Sequence, residues 1–122
     1  MSQKKKAVVL VNNEIILSSL EKILEGMGCE THRDIDSCRE ADFGFVGSYF
    51  ALLGILNHIH AVRSSLPLVL VVSKEHDLDG DLELDRDFYD IVRLDSYDEA
   101  DVRQKITQWF SEEHGALLVQ GG

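Results

Sequence analysis

Ala7-Val8-Val9-Leu10-Val11, running directly into Asn12-Asn13-Glu14, is the stretch on which the fold turns. Five apolar, mostly β-branched residues without polar alternation are the pattern of a strand covered on both faces, as in a parallel sheet. The neighbouring segment agrees with a parallel sheet. From Glu14 to Met27 the apolar residues Ile15, Ile16, Leu20, Ile23, Leu24 and Met27 fall at helical spacing, and Gly28 stands where a left-handed C-cap is wanted. A strand succeeded by an amphipathic helix opens a βα unit, and the rest of the chain repeats the alternation.

Cys29 to His32 is a candidate second strand, and Phe43-Gly44-Phe45-Val46 a third. Phe50 to Val62 is expected as a helix burying Phe50, Leu53, Leu56, Ile59 and Val62. Pro67-Leu68-Val69-Leu70-Val71-Val72 is the strongest strand, its proline at the first position where no ladder donor is missed. Asp90 to Leu94 is a fifth. A last helix comes after it, with Ser96 and Glu99 as a capping box and Val102, Ile106, Trp109 and Phe110 as its core stripe. The expected fold class is α/β, a doubly wound five-stranded parallel sheet.

Two stretches strain this scheme. Between Gly28 and Asp42 there is too little chain for a strand and a full crossover helix, so the second helix should be a stub. From Asp77 to Phe88, Asp77, Asp79, Asp81, Glu83, Asp85 and Asp87 alternate with Leu78, Leu82, Leu84 and Phe88 about Gly80. Period two opposes a helix, so the fourth helix should be short or irregular. The comb is no EF-hand, because positions six and twelve from Asp77 hold Leu82 and Phe88 instead of Gly and Glu.

The chain has 122 residues, 44% of them hydrophobic, enough for one continuous core. Its formal net charge of −10 repels phosphate backbones and anionic lipid surfaces, so no direct nucleic-acid contact and no membrane binding are expected. The Lys4-Lys5-Lys6 run leads into a hydrophobic strand and is read as a solvated terminus. No signal-peptide pattern is present, and a cytoplasmic location is expected. Cys29 and Cys38 are too few for a disulfide scaffold and lack metal-ligand spacing. His58 and His60 are two apart, hence on different helix faces, so neither a metal nor a cofactor is expected.

A five-stranded parallel domain of this length resembles the receiver domains of bacterial two-component response regulators, over about residues 5 to 112. In that family strand one ends in an acid pair that holds Mg²⁺, strand three in the phosphoacceptor Asp, strand four in Thr or Ser, and strand five in Lys-Pro. Carried over, Val11-Asn12-Asn13-Glu14 puts Asn12 and Asn13 where the acids belong, and Phe45-Val46-Gly47 puts Gly47 at the phosphoacceptor position. Ser73 keeps the hydroxyl, and Arg93 is the nearest cation to the missing lysine. Asparagine lacks the charge that Mg²⁺ wants, and glycine offers no nucleophile. Asn12, Asn13, Gly47, Ser73 and Arg93 thus make up a vestigial phosphorylation pocket. Without a chemical role, Asn12 and Asn13 are an ordinary strand-to-helix turn with Asn13 capping the helix. Ser48, beside Gly47, has no base to activate it.

A narrower resemblance joins Val46-Gly47-Ser48, Leu66-Pro67 and Ser96-Tyr97 to the N-terminal domains of flagellar master regulators, sigma-54-dependent activators with an ATPase and a helix-turn-helix. It implies a non-phosphorylatable regulatory domain acting by protein contact, with its own copy as a homodimer or with downstream ATPase and DNA-binding domains. Residues 113 to 122, carrying Gly115-Ala116-Leu117-Leu118-Val119 without a helix signal, read as a tail or the start of an interdomain linker. The alternative is a ligand-sensing module using the vestigial pocket at the carboxyl ends of the strands. An enzyme is not expected, because the turn after the first strand carries neither a phosphate-binding glycine loop nor a cysteine.

Overall fold

A computed structural model describes residues 5–47, 54–72, 88–96, 98–112 and 115–116. β1 (Lys6–Leu10) leads through the Asn12-Asn13 turn into α1 (Glu14–Gly26). β2 (Glu30–His32), a 3-10 helix (Ile35–Arg39), β3 (Phe43–Gly47) and α2 (Ile55–Val62) come next. β4 (Leu68–Val72), β5 (Asp90–Arg93) and α3 (Glu99–Ser111) complete the described elements. The five strands form one sheet in the order β2-β1-β3-β4-β5, and every pairing is parallel. This doubly wound order reverses direction between β1 and β3, so the crevice at their carboxyl ends is the topological switch point.

Alternation along each strand divides the core in two. Ala7, Val9, Val11, Phe43, Phe45, Val69, Val71 and Val92 face the layer made by α1 and α3. Val8, Leu10, Val46, Leu68, Leu70 and Val72 face the layer of the 3-10 helix and α2, through Cys38, Ile55, Leu56 and Ile59. Phe43 and Phe45 add an aromatic block to the first layer, where Phe45 meets Trp109 at 5.8 Å and Phe110 at 5.7 Å between ring centroids. The central strands are buried on both sides, which is why they are apolar without a break.

The C-cap of α1 is the one expected. Gly28 has φ +86°, its N–H donates to the Glu25 carbonyl at 3.0 Å, and the Cys29 N–H donates to the Leu24 carbonyl at 2.9 Å. This is a Schellman motif, with Cys29 and Leu24 in the same apolar cluster. The second crossover is a stub, reduced to the five-residue 3-10 helix with Asp34 as its cap.

Three expectations need correction. The cap of α3 is Asp98, whose carboxylate accepts the Asp101 N–H at 3.4 Å; Ser96 instead accepts the Asp98 N–H at 3.0 Å, forming a local turn. A carboxylate gains from the positive helix end as well as from the hydrogen bond, which favours Asp98 over the hydroxyl. Ile15 and Met27 are exposed, at 39% and 40%, because they stand at the two ends of α1 and off its buried stripe. α2 starts at Ile55, after Gly54 with φ +77°, and buries Ile55 as well as Leu56 and Ile59, with Val62 packed beside them. Residues 48–53, with Phe50 and Leu53, lie outside the described residues, as do Asp77 to Asp87 of the acidic comb. Phe88 is buried in the second layer.

Candidate functional site at the carboxyl edge of the sheet

The register brings Leu10 beside Val46 and Gly47 beside Val71, with Val72 beside Arg93 one step further. Val11 therefore lies over Gly47, and the Asn12-Asn13 turn rises from the same edge. Asn12 is exposed and Asn13 partly so. The Asn13 Oδ1 accepts the N–H groups of Ile15 at 3.0 Å and Ile16 at 3.1 Å, and its carbonyl accepts the Leu17 N–H at 2.9 Å. The side-chain oxygen that could face a cation is thus committed to the first turn of α1. Its capping role was legible in the residue type, and the hydrogen bonds bear it out.

Gly47 is the buried last residue of β3. A Cβ placed on it would stand 3.4 Å from both the Cα and Cγ1 of Val11 and 3.6 Å from the Leu10 carbonyl oxygen, which is ordinary van der Waals contact. Its φ is not positive. Backbone and, among the described residues, packing would accept a Cβ here, and the sequence supplies none. Gly44, three residues earlier, differs, since a Cβ there would come within 2.9 Å of the Leu68 Cδ2.

Arg93 is not brought alongside Gly47. It closes β5, two strands from β3, or about 10 Å by the usual strand spacing, and by alternation it shares the sheet face of Ile91 rather than that of Gly47. Ser73 and Ser48 lie outside the described residues. Asn12, Asn13 and Gly47 are thus the three pocket residues that the structure places together, and they amount to two neutral amides and a bare backbone. Such a set has no carboxylate for Mg²⁺ and no atom able to accept a phosphoryl group. Among the described residues, no three His, Cys, Asp or Glu side chains gather into a metal-binding group.

Two features elsewhere left no trace in the sequence pattern. A cleft of about 370 Å³ lies where the β5–α3 connection (Leu94, Asp95, Ser96) meets Asp101, Lys105 and Gln108 of α3, with Lys105 Nζ 3.8 Å from an Asp95 carboxylate oxygen. The Trp109 indole N–H donates to the Asp90 carboxylate at 2.7 Å, tying α3 to the start of β5. Both join residues from separate elements, which periodicity does not record.

No protein-family model matches the sequence, and no curated protein matches it either. Solved structures do. A response regulator receiver domain protein from Clostridium thermocellum superposes with a TM-score of 0.60 at 16% identity, covering 86% of this chain and 96% of its own. NtrX from Brucella abortus, crystallised in complex with ADP, gives a TM-score of 0.63 at 19% identity and covers 98% of this chain. The present chain spans 28% of NtrX. A de novo designed Rossmann 2x3 protein is also similar, with a TM-score of 0.58 at 16% identity, covering 92% of this chain and 93% of its own. The protein has the flavodoxin-like fold of receiver domains. The designed neighbour illustrates that this architecture can exist without any inherited site.

Proposed function

We propose that this is a receiver-type regulatory domain that is not phosphorylated and works through protein contacts within a cytoplasmic bacterial transcription regulator. The observation that carries the reading is Gly47. The strand end that in a working receiver presents the acceptor carboxylate has no side chain here, although the described residues around it leave room for a Cβ. Asn12 and Asn13 remove the metal-binding charge beside it, and Asn13 spends its oxygen on the helix cap. Signalling by this domain then rests on which surface it offers and to whom. The partners are its own copy, as a homodimer, or domains carried on the same polypeptide. NtrX from Brucella abortus, of whose length the present chain matches 28%, is a precedent for a domain of this fold within a longer polypeptide. The short resemblance to flagellar master regulators points the same way. The domain is proposed not to be an enzyme.

The test is direct. The protein is incubated with Mg²⁺ and acetyl phosphate and its intact mass recorded. The expected result is an unmodified chain, and a hydroxylamine-sensitive phosphoryl adduct would overturn the reading. Light scattering across a concentration series addresses self-association, with a dimer as the expected species at high concentration.

A further inference from the structure

We propose that Gly115 and Ala116, just beyond α3, are held on the domain rather than released, through a seat formed by Gly115 on the Trp109 carbonyl and fixed to the sheet by the Trp109–Asp90 hydrogen bond. This seat lies apart from Asn12, Asn13 and Gly47 and is independent of whether the domain can be phosphorylated.

α3 stops at Ser111, where Glu112 takes φ −81°, ψ 166°, an extended conformation that no helix continues through. A released tail would leave from here in any direction and would tolerate any residue. The described residues beyond do neither. Against the expectation that this stretch carries no helix, Gly115 and Ala116 are helical. Gly115 is buried, and the Ala116 N–H donates to the Glu112 carbonyl four residues back at 2.9 Å. That bond lies within the segment, so what holds the segment on the domain is the Gly115 contact. The approach of Gly115 to the helix end is close enough to exclude a side chain. A Cβ there would stand 2.9 Å from the Trp109 carbonyl carbon, 2.7 Å from the Phe110 Cα, and nearer still to the Trp109 carbonyl oxygen. These are backbone atoms, which cannot rotate aside as the end of a side chain could. Glycine is required because the two segments touch.

The seat itself is fixed. Trp109 is 5% exposed; its indole N–H donates to Asp90, and its ring stands edge-on to Phe45 at 5.8 Å and to Phe110 at 5.0 Å. Asp90 opens β5 and Phe45 lies in the middle of β3. The point at which Gly115 rests is therefore referenced to two strands of the sheet. Gly115 and Ala116 are thereby held against the end of α3, and displacing Trp109 is the way to release them.

Amide hydrogen exchange on the full 122-residue chain tests this, together with the emission of its single tryptophan. In the unaltered protein the Ala116 amide should exchange at least about tenfold slower than in an unstructured peptide. In Gly115→Ala it should exchange at the unstructured rate while the amides of β1 and β3 keep their protection. Asp90→Ala should shift the Trp109 emission to the red and speed Ala116 exchange several-fold. Trp109→Phe, which keeps a ring and removes the N–H, serves as the second variant if Asp90→Ala does not fold, read on Ala116 alone. Unstructured-rate exchange of Ala116 in the unaltered protein, or retained protection in Gly115→Ala, overturns the seat. Unchanged Ala116 protection in a folded Asp90→Ala or Trp109→Phe overturns its attachment to β5.

Discussion

Gly47 closes β3 and Gly115 lies beyond α3; both are buried, and their surroundings are opposite. Among the described residues, the nearest atoms to a notional Cβ on Gly47 lie at ordinary contact distance, whereas around Gly115 they are backbone atoms well inside it. A missing side chain therefore has two meanings in this molecule. At the end of α3 it is a condition of the fold, because two stretches of main chain meet there. At the carboxyl edge of the sheet it is an absence of chemistry, since the described neighbours of Gly47 leave room for a Cβ and the sequence places no side chain there.

The contrast can be broken or sharpened by substitution, beginning at the α3 end. Trp109→Ala removes a buried indole, its hydrogen bond to Asp90 and its contacts with Phe45 and Phe110. The expected cost is about 3–5 kcal/mol in urea unfolding, a large share of the stability of a domain this size. At the carboxyl edge, effects should be smaller. Asn13→Ala leaves the Ile15 and Ile16 N–H groups without their acceptor and should cost about 1 kcal/mol, while Asn13→Asp, an equally good cap, should cost little. That pair separates a capping role from a ligand-binding one, because a metal or ligand role would show as changed binding with stability intact.

Gly47→Ala should be stabilising, by about 0.4–1 kcal/mol, since the backbone conformation suits alanine and the unfolded chain loses freedom. A loss of more than about 1 kcal/mol would mean that packing does require glycine there, and the contrast with Gly115 would fall. The smallest effect is expected far from both glycines. Arg33 forms a fork with the Glu21 carboxylate at 2.7 and 2.8 Å, which holds the Glu21 carboxyl below its usual range. A lowered carboxyl value stabilises the folded form above the ordinary glutamate range and is lost as the pH falls through the folded value. Glu21→Gln should therefore cost at most about 1 kcal/mol at neutral pH, as partly exposed pairs do, with the difference vanishing in acid.

Much of this architecture is legible in the residues. β1, β3 and β4 are apolar runs because both sheet faces are covered, and the α1 stripe and Gly28 mark a helix and its end. The reduced second crossover is implied by the count of residues between Gly28 and Asp42. The signals failed where two local candidates compete, as Ser96 and Asp98 do for one helix end, or where an apolar residue stands at the fringe of a stripe, as Ile15 does. At the site, Asn13 as a cap could be read from residue type. The separation of Arg93 from Gly47 could not, because it depends on strand order and on which face each residue takes. The Asp90–Trp109 bond and the Gly115 contact escaped for a related reason. Each is a single meeting of two segments, which neither composition nor period encodes.

The division of the core has a last consequence, for the two thiols. Cys29 belongs to the layer of α1 and α3 and Cys38 to that of the 3-10 helix and α2, so the sheet stands between them. Burial raises both pKa values, and each thiol is protonated and slow to react at neutral pH. The sequence thus carries one chemical clock on either side of its sheet. A thiol reagent applied to the native protein times the opening of each layer. Matching rates would mean that the sandwich opens as one cooperative unit; unequal ones would show which cover lifts first.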